Sequence, residues 1–181
     1  MQADHGLVLR AAAFAAQRHR RQRRRDAEGS PYINHPLALA DTLANLGGVV
    51  DPVVLCAALL HDTVEDTATT FEEIELAFGA RIASVVSEVT DDKSLPKAER
   101  KRLQIEHAPH ISREAQLVKL ADKICNLTDL LEAPPPWPLQ RKRDYFDWTA
   151  QVVAGLRGAH PGLEARFDAL YARIGELTDA A

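Results

Sequence analysis

The feature that most constrains this chain is Asp51-Pro52 followed by eight uninterrupted apolar residues, Val53 to Leu60, and then His61-Asp62. Proline is tolerated at the first position of a helix, so Asp51-Pro52 predicts a helix start. A helix that is apolar on nearly all sides has no solvent face and belongs in the centre of a core. Eight apolar residues also fall well short of the roughly 18–20 needed to cross a bilayer. The remaining segments must therefore wrap around this one.

Those segments carry helical periodicity. Leu7, Ala11, Phe14 and Ala15 form one apolar stripe between Leu7 and Arg20. After a turn at Asp26-Ala27-Glu28-Gly29-Ser30-Pro31, Asn34-His35-Pro36 opens a helix expected to run to Leu46 and to stop at Gly47-Gly48. The central helix is expected to end near Asp62. Thr69 or Thr70, with Glu72 and Glu73 downstream, caps a short helix ending near Gly79, and another covers Ala80 to Val89. Pro96 starts a charged helix through about His107, after a polar loop from Asp91. Ser112 to Leu131 is a long amphipathic helix with Leu117, Leu120, Ala121, Ile124 and Leu127 inward. The prolines at 134, 135, 136 and 138 forbid helix around Trp137. Two more helices follow, Leu139 to Leu156 and Gly162 to Leu177. With no β-alternation and no repeat, the expectation is an all-α orthogonal bundle of about eight to ten helices. One domain is expected over residues 1–181, with a metal-binding core at about 30–130 and helices of 139–177 packed on it.

Composition narrows the function classes. Apolar residues make up 46% and charged residues 27%, as in an ordinary soluble domain. Twenty-two basic against 26 acidic residues leave a net charge of −4, so nothing global points to nucleic acid. Met1 to His5 shows no basic region leading into an apolar stretch, and no secretory signal is expected. Cys56 and Cys125 lie in apolar helical segments, which argues for a reducing, cytoplasmic compartment rather than a disulfide framework.

Of seven histidines, His5, His107, His110 and His160 lie in polar segments and are expected to be solvated. His61-Asp62 differs, because it ends the most hydrophobic helix, where unpaired charge is expensive. The run His61-Asp62-Thr63-Val64-Glu65-Asp66 holds three carboxylates and an imidazole. One further helical turn would put Glu65 on the face of His61 and Asp66 on the face of Asp62. Carboxylates so close repel one another unless a cation holds them. His35, fixed at a helix start, supplies a second imidazole. Asp122, interrupting the apolar face of the long helix, supplies a second carboxylate. Two His and two Asp suit manganese, iron or a similar ion better than structural zinc, which favours thiolates and a closed tetrahedron.

These residues carry a resemblance. A His, a His-Asp doublet and a distant Asp resemble the signature of the HD phosphohydrolase superfamily. Tyr32-Ile33-Asn34-His35-Pro36, His61 to Thr67, and Lys119-Leu120-Ala121-Asp122-Lys123 with Asn126-Leu127 are similar to the hydrolase domain of RelA/SpoT enzymes. The likeness extends over nearly the whole chain and is greatest to the stand-alone small alarmone hydrolases, the metazoan SpoT homologues among them. It implies one Mn²⁺ on His35, His61, Asp62 and Asp122, and a catalytic pair in Glu65 and Asp66. The implied substrate is guanosine tetra- or pentaphosphate (ppGpp or pppGpp), cut at the 3′-pyrophosphate to leave GDP or GTP.

Charge explains the chemistry such a site would need. A divalent ion polarises a phosphoryl oxygen and acidifies water, and Glu65 and Asp66 would orient that water and take its proton. Substrate phosphates need cations. Arg18 to Arg25 holds six arginines. Arg18, Arg20 and Arg21 read as a solvated helix end. Arg24 and Arg25 resemble the family's base-stacking and phosphate-contacting pair. Ser30, Tyr32, Lys97, Lys101, Arg102 and Asn126 are the further candidate contacts. Thr128 stands where many family members have arginine, at the cost of one contact. A phosphatase acting on NADPH or another ribose-phosphate nucleotide uses the same parts. A nucleic-acid module built on the arginine run would leave the buried His/Asp set unexplained, and a non-catalytic sensor would leave Glu65-Asp66 unexplained. The partner expected is thus a small nucleotide, with neither nucleic acid nor membrane.

Overall fold

The structure, a computed structural model, describes residues 4–26 and 28–179. The reading of Met1 to Ala3 and of Ala27 in the first turn lies outside the described residues. Ten α-helices are present among the described residues: α1 (His5–Arg18), α2 (Asn34–Asp41), α3 (Pro52–Leu60), α4 (Thr63–Asp66), α5 (Phe71–Phe78), α6 (Ala80–Val89), α7 (Lys97–His107), α8 (Arg113–Glu132), α9 (Leu139–Ala154) and α10 (Pro161–Tyr171). No strand occurs among those residues, only an isolated antiparallel pairing of Arg23 with Pro31. The architecture is all-α, as the periodicity predicts. Among the described residues no helix is long and apolar enough to cross a membrane.

Local chemistry explains the helix starts. Asp51 Oδ1 accepts from the Val53 N–H at 2.8 Å, with Pro52 in the first turn. Thr70 and Glu73 form a reciprocal capping box, at 3.2 Å and 3.0 Å, ahead of α5. Ser112 Oγ accepts from the Ala115 N–H at 3.3 Å and starts α8. With its ends fixed, α3 packs against α1, α2, α6 and α8. Val54 and every residue from Cys56 to Leu60 are buried. α9 rests on α7 and α8, and α10 on α8.

Three local expectations change. The second helix does not run unbroken to Leu46. From Thr42 it widens into a π turn that ends with the Gly47 N–H donating to Thr42 O at 3.0 Å. A Cβ on Gly47 would come within 2.7 Å of Leu43 O, so the close return of the chain there needs glycine. The central helix stops at Leu60, where Thr63 Oγ1 donates to the Leu60 carbonyl at 2.6 Å, and α4 begins separately. His160 is not a solvated histidine. Its Nδ1 accepts from the Leu163 N–H at 3.2 Å, and its Nε2 donates to Gly47 O at 2.9 Å, tying the start of α10 to that turn. His5, His107 and His110 are exposed, as expected.

Candidate functional site

His35 is set in the first turn of α2, His61 and Asp62 in the step between α3 and α4, and Asp122 in the middle of α8. The packing of α2 and α8 against α3 brings them to one point. His61 Nε2 lies 3.0 Å from Asp62 Oδ2 and 4.0 Å from Asp122 Oδ1. His35 Nε2 lies 3.2 Å from Asp122 Oδ1 and 4.0 Å from Asp62 Oδ2. Both imidazoles are buried, at 5% and 6% exposure.

His61 Nδ1 lies 2.7 Å from Ala58 O and donates to it, which leaves Nε2 to face the carboxylates. That buried Nε2 has no hydrogen-bond partner, because the nearby Asp62 oxygen is not aligned to make one. Burial opposes charge on His61, yet Asp62 and Asp122 push its pKa up to about 9. Burial would raise the Asp62 carboxyl, but His61 and His35 hold it well below the carboxylate range. Asp122 is likewise lowered against burial, by Lys123 first and then the two imidazoles. The cluster thus demands positive charge at its centre, and an orphaned ring nitrogen points there. These four donors fit a divalent cation with mixed nitrogen and oxygen ligands. His35, His61 and Asp62 alone bring three ligand atoms within 4.8 Å of one another.

Neighbours hold the carboxylates in place. The Tyr32 hydroxyl donates to Asp62 Oδ2 at 2.5 Å, and Asn126 Nδ2 donates to Asp122 Oδ1 at 2.7 Å. His19, buried and not anticipated from the sequence, packs its ring 4.8 Å from that of Tyr32.

The cluster opens into a cavity of about 540 Å³. Arg24, Arg25, Tyr32, Glu65, Lys97, Lys101 and Asn126 line it. A second space of about 620 Å³ shares Arg24, Arg25, Tyr32, His35 and Asn126 with the first and adds Ser30 and Asp66. Arg24 pairs with Asp129 and lies over the Tyr32 ring at 5.6 Å. Ser30 is held in its turn by an N–H bond of 3.0 Å to Asp26.

Two expectations about side-chain direction fail. Arg102 lines neither space: its Nε donates to Glu99 at 3.0 Å and the guanidinium also pairs with Glu106, outside. On a helix, 97, 101 and 104 share a face while 102 is turned away. Glu65 and Asp66 also diverge. Glu65 faces the ion cluster's cavity, its carboxyl raised mainly by burial. Asp66 is held outside that cavity by Gln22, at 2.9 Å, and by Lys93. Thr128 folds back on Ile124 O at 2.9 Å and lines neither space.

Sequence reasoning missed much of the opposite wall. Gln104, Lys119, Lys123, Arg141, Tyr145 and Trp148 all line the cavity. Lys119 and Lys123 were visible as cations flanking Asp122 on a helix otherwise packed inward, and both are buried. Burial and the neighbouring Lys123 bring the Lys119 pKa down to about 8. Trp148 lies between Lys101 and Lys123, 4.6 Å from each ammonium.

A helical bundle that gathers two imidazoles and two aspartates from α2, the step between α3 and α4, and α8 has the architecture of an HD domain. A family model for that domain matches residues 11–161, and the chain belongs to the HD-domain family. Within it, the chain is 58% identical over 172 residues to the guanosine-3′,5′-bis(diphosphate) 3′-pyrophosphohydrolase MESH1 of Xenopus tropicalis, covering 94% of this chain and 96% of that protein. The Homo sapiens protein of the same name is 55% identical over 176 residues, covering 97% and 98%. A solved structure of a metazoan orthologue of SpoT, described as hydrolysing ppGpp and acting in starvation responses, superposes with a TM-score of 0.92 at 44% identity. That match covers 98% of this chain and all of the other.

Proposed function

We propose that the chain is a guanosine-3′,5′-bis(diphosphate) 3′-pyrophosphohydrolase, acting on guanosine tetra- and pentaphosphate with one Mn²⁺ on His35, His61, Asp62 and Asp122. The observation that carries this reading is that each imidazole lies within 4.0 Å of both carboxylates, beneath a cavity rimmed by arginine and lysine. The high identity to proteins named for that reaction supports the substrate. When bound, the ion supplies Lewis-acid polarisation of a phosphoryl oxygen and acidification of water.

The chain's own side chains do the rest. The water oxygen bonds to the 3′-phosphorus, the bond to the ribose 3′-oxygen breaks, and that oxygen takes up a proton in exchange for the one the water gives up, so that pyrophosphate and GDP separate. Glu65 takes the proton lost by the water, its basicity raised by burial. Asp66 fixes the Gln22 and Lys93 side of the acidic pair. Arg24 offers a guanidinium plane to the purine, with Arg25, Ser30, Tyr32 and Asn126 along the same edge. Lys97, Lys101 and Lys119 hold phosphate charge on the opposite wall. In this reading one domain spans the chain. An enzyme of intracellular nucleotides with two buried free cysteines belongs in the cytoplasm.

The test is product chromatography after incubating purified protein with Mn²⁺ and guanosine tetraphosphate. Equal amounts of GDP and pyrophosphate are expected. Intact tetraphosphate beside orthophosphate release from NADPH would replace the substrate assignment, and turnover of neither would end the hydrolase reading.

A further inference from the structure

Across the cavity wall runs a chain of polar contacts that the proposed reaction does not use. Lys123 Nζ donates to Asp122 Oδ2 at 3.0 Å and to Gln104 Oε1 at 3.1 Å. Gln104 Nε2 donates to Asp91 Oδ2 at 2.8 Å. The Asp91 backbone N–H donates to Glu65 Oε2 at 3.2 Å. Four separate elements are joined in this way: α4, the loop before α7, α7 itself and α8.

Gln104 is the only member whose two ends must differ. Its oxygen meets an ammonium and its nitrogen meets a carboxylate, so an amide satisfies both neighbours without adding charge. A glutamate would keep the bond to Lys123 and repel Asp91. An apolar isostere would leave both neighbours short of a partner in a half-buried wall. Lys123 has nowhere else to turn, since its remaining side faces the Trp148 ring at 4.6 Å. Without Gln104 its ammonium would bear on Asp122 alone.

We infer that Gln104 is a positioning residue, which holds Asp122, through Lys123, in register with Glu65, through Asp91. The inference rests on the assignment of Asp122 as an ion ligand and Glu65 as the proton acceptor. The side-chain amide of Gln104 spends its polar contacts on Lys123 and Asp91. It shares a face of α7 with Lys97 and Lys101, so the helix that receives phosphate also sets the distance between the two halves of the reacting centre.

Three variants separate the two ends of the amide: Q104M, Q104E and the pair D91N/Q104E. Mn²⁺ binding is read by calorimetric titration, and kcat and KM by pyrophosphate release, with thermal unfolding as a folding check. Q104M is expected to weaken Mn²⁺ binding about tenfold or more, the range for outer partners of metal ligands. Q104E keeps the Lys123 acceptor, so Mn²⁺ binding stays within about threefold while kcat falls about tenfold and KM stays within about twofold. D91N/Q104E restores the donor–acceptor match with polarity reversed, and is expected to recover kcat to within about threefold of the original chain. Wild-type kcat in Q104E, no recovery in the pair, or unchanged Mn²⁺ binding in Q104M would each overturn the inference. If the unaltered chain binds Mn²⁺ but releases no pyrophosphate, the substrate reading fails, while the Mn²⁺ titration of Q104M still decides the Asp122 end.

Discussion

His61 Nδ1 lies 2.7 Å from the carbonyl oxygen of Ala58, one turn earlier on the same helix. That bond uses a carbonyl in the last turn of α3 to fix which ring nitrogen is free, with no other segment involved. The free Nε2 then faces Asp62 and Asp122, which fits the cluster to hold a cation as a unit.

Cation binding to the folded state alone must therefore stabilise the protein. At a free Mn²⁺ concentration about a hundred times Kd, the gain is about 2.7 kcal/mol. Thermal unfolding with and without added Mn²⁺ is expected to show a rise of several degrees, abolished in Asp122→Ala. Equal melting temperatures in the unaltered protein would rule out this ion.

The divergence of the acidic pair separates two variants. Glu65→Gln is expected to lower kcat by about 10²–10⁴-fold while leaving Mn²⁺ binding intact. Asp66→Asn, which loosens Gln22 and Lys93 outside the ion cluster's cavity, is expected to cost about tenfold. Single-turnover rates on both variants check the order, and a larger loss in Asp66→Asn would reverse the assignment.

On α7 the lysines face the cavity and Arg102 faces Glu99 and Glu106. Lys101→Ala is expected to reduce kcat/KM about 10–100-fold, the cost of one charged phosphate contact. Arg102→Ala, which breaks only exposed pairs, is expected to cost less than about twofold. Initial rates at low substrate measure both.

Lys119 is buried with a single bond, 3.4 Å to Val89 O. Its pKa falls from the ordinary 10.5 to about 8 on folding. Between these values the unfolded chain holds more protons than the folded one, so this residue makes stability rise with pH. Below about 8 the buried charge is a full penalty. Lys119→Met is thus expected to be more stable at pH 7, by about 1–3 kcal/mol, with slower pyrophosphate release. Its advantage should shrink above pH 8 and be nearly gone by 10.5. Urea titrations at pH 7 and at pH 10 would expose a wrong sign.

Much of the fold was legible one segment at a time. Asp51-Pro52, Thr70 with Glu73, and Ser112 announced helix starts because a cap is a bond to a backbone N–H two or three residues away. The run from Val53 to Leu60 announced the centre because no apolar helix can turn a face to water. His61-Asp62, set at the end of that run, had to be compensated, and the same reasoning found Asp122. Packing decided what lies between segments. Arg24 reaches the cavity and Arg102 does not, Glu65 and Asp66 part company, and Gln104, Tyr145 and Trp148 complete a wall that no local pattern marks. Helix periodicity says which residues share a face, but only the neighbours packed against a helix determine where that face points. A chain's own turns are set by bonds within a few residues, whereas a site assembled from α2, α4, α7, α8 and α9 exists only once their apolar faces have met.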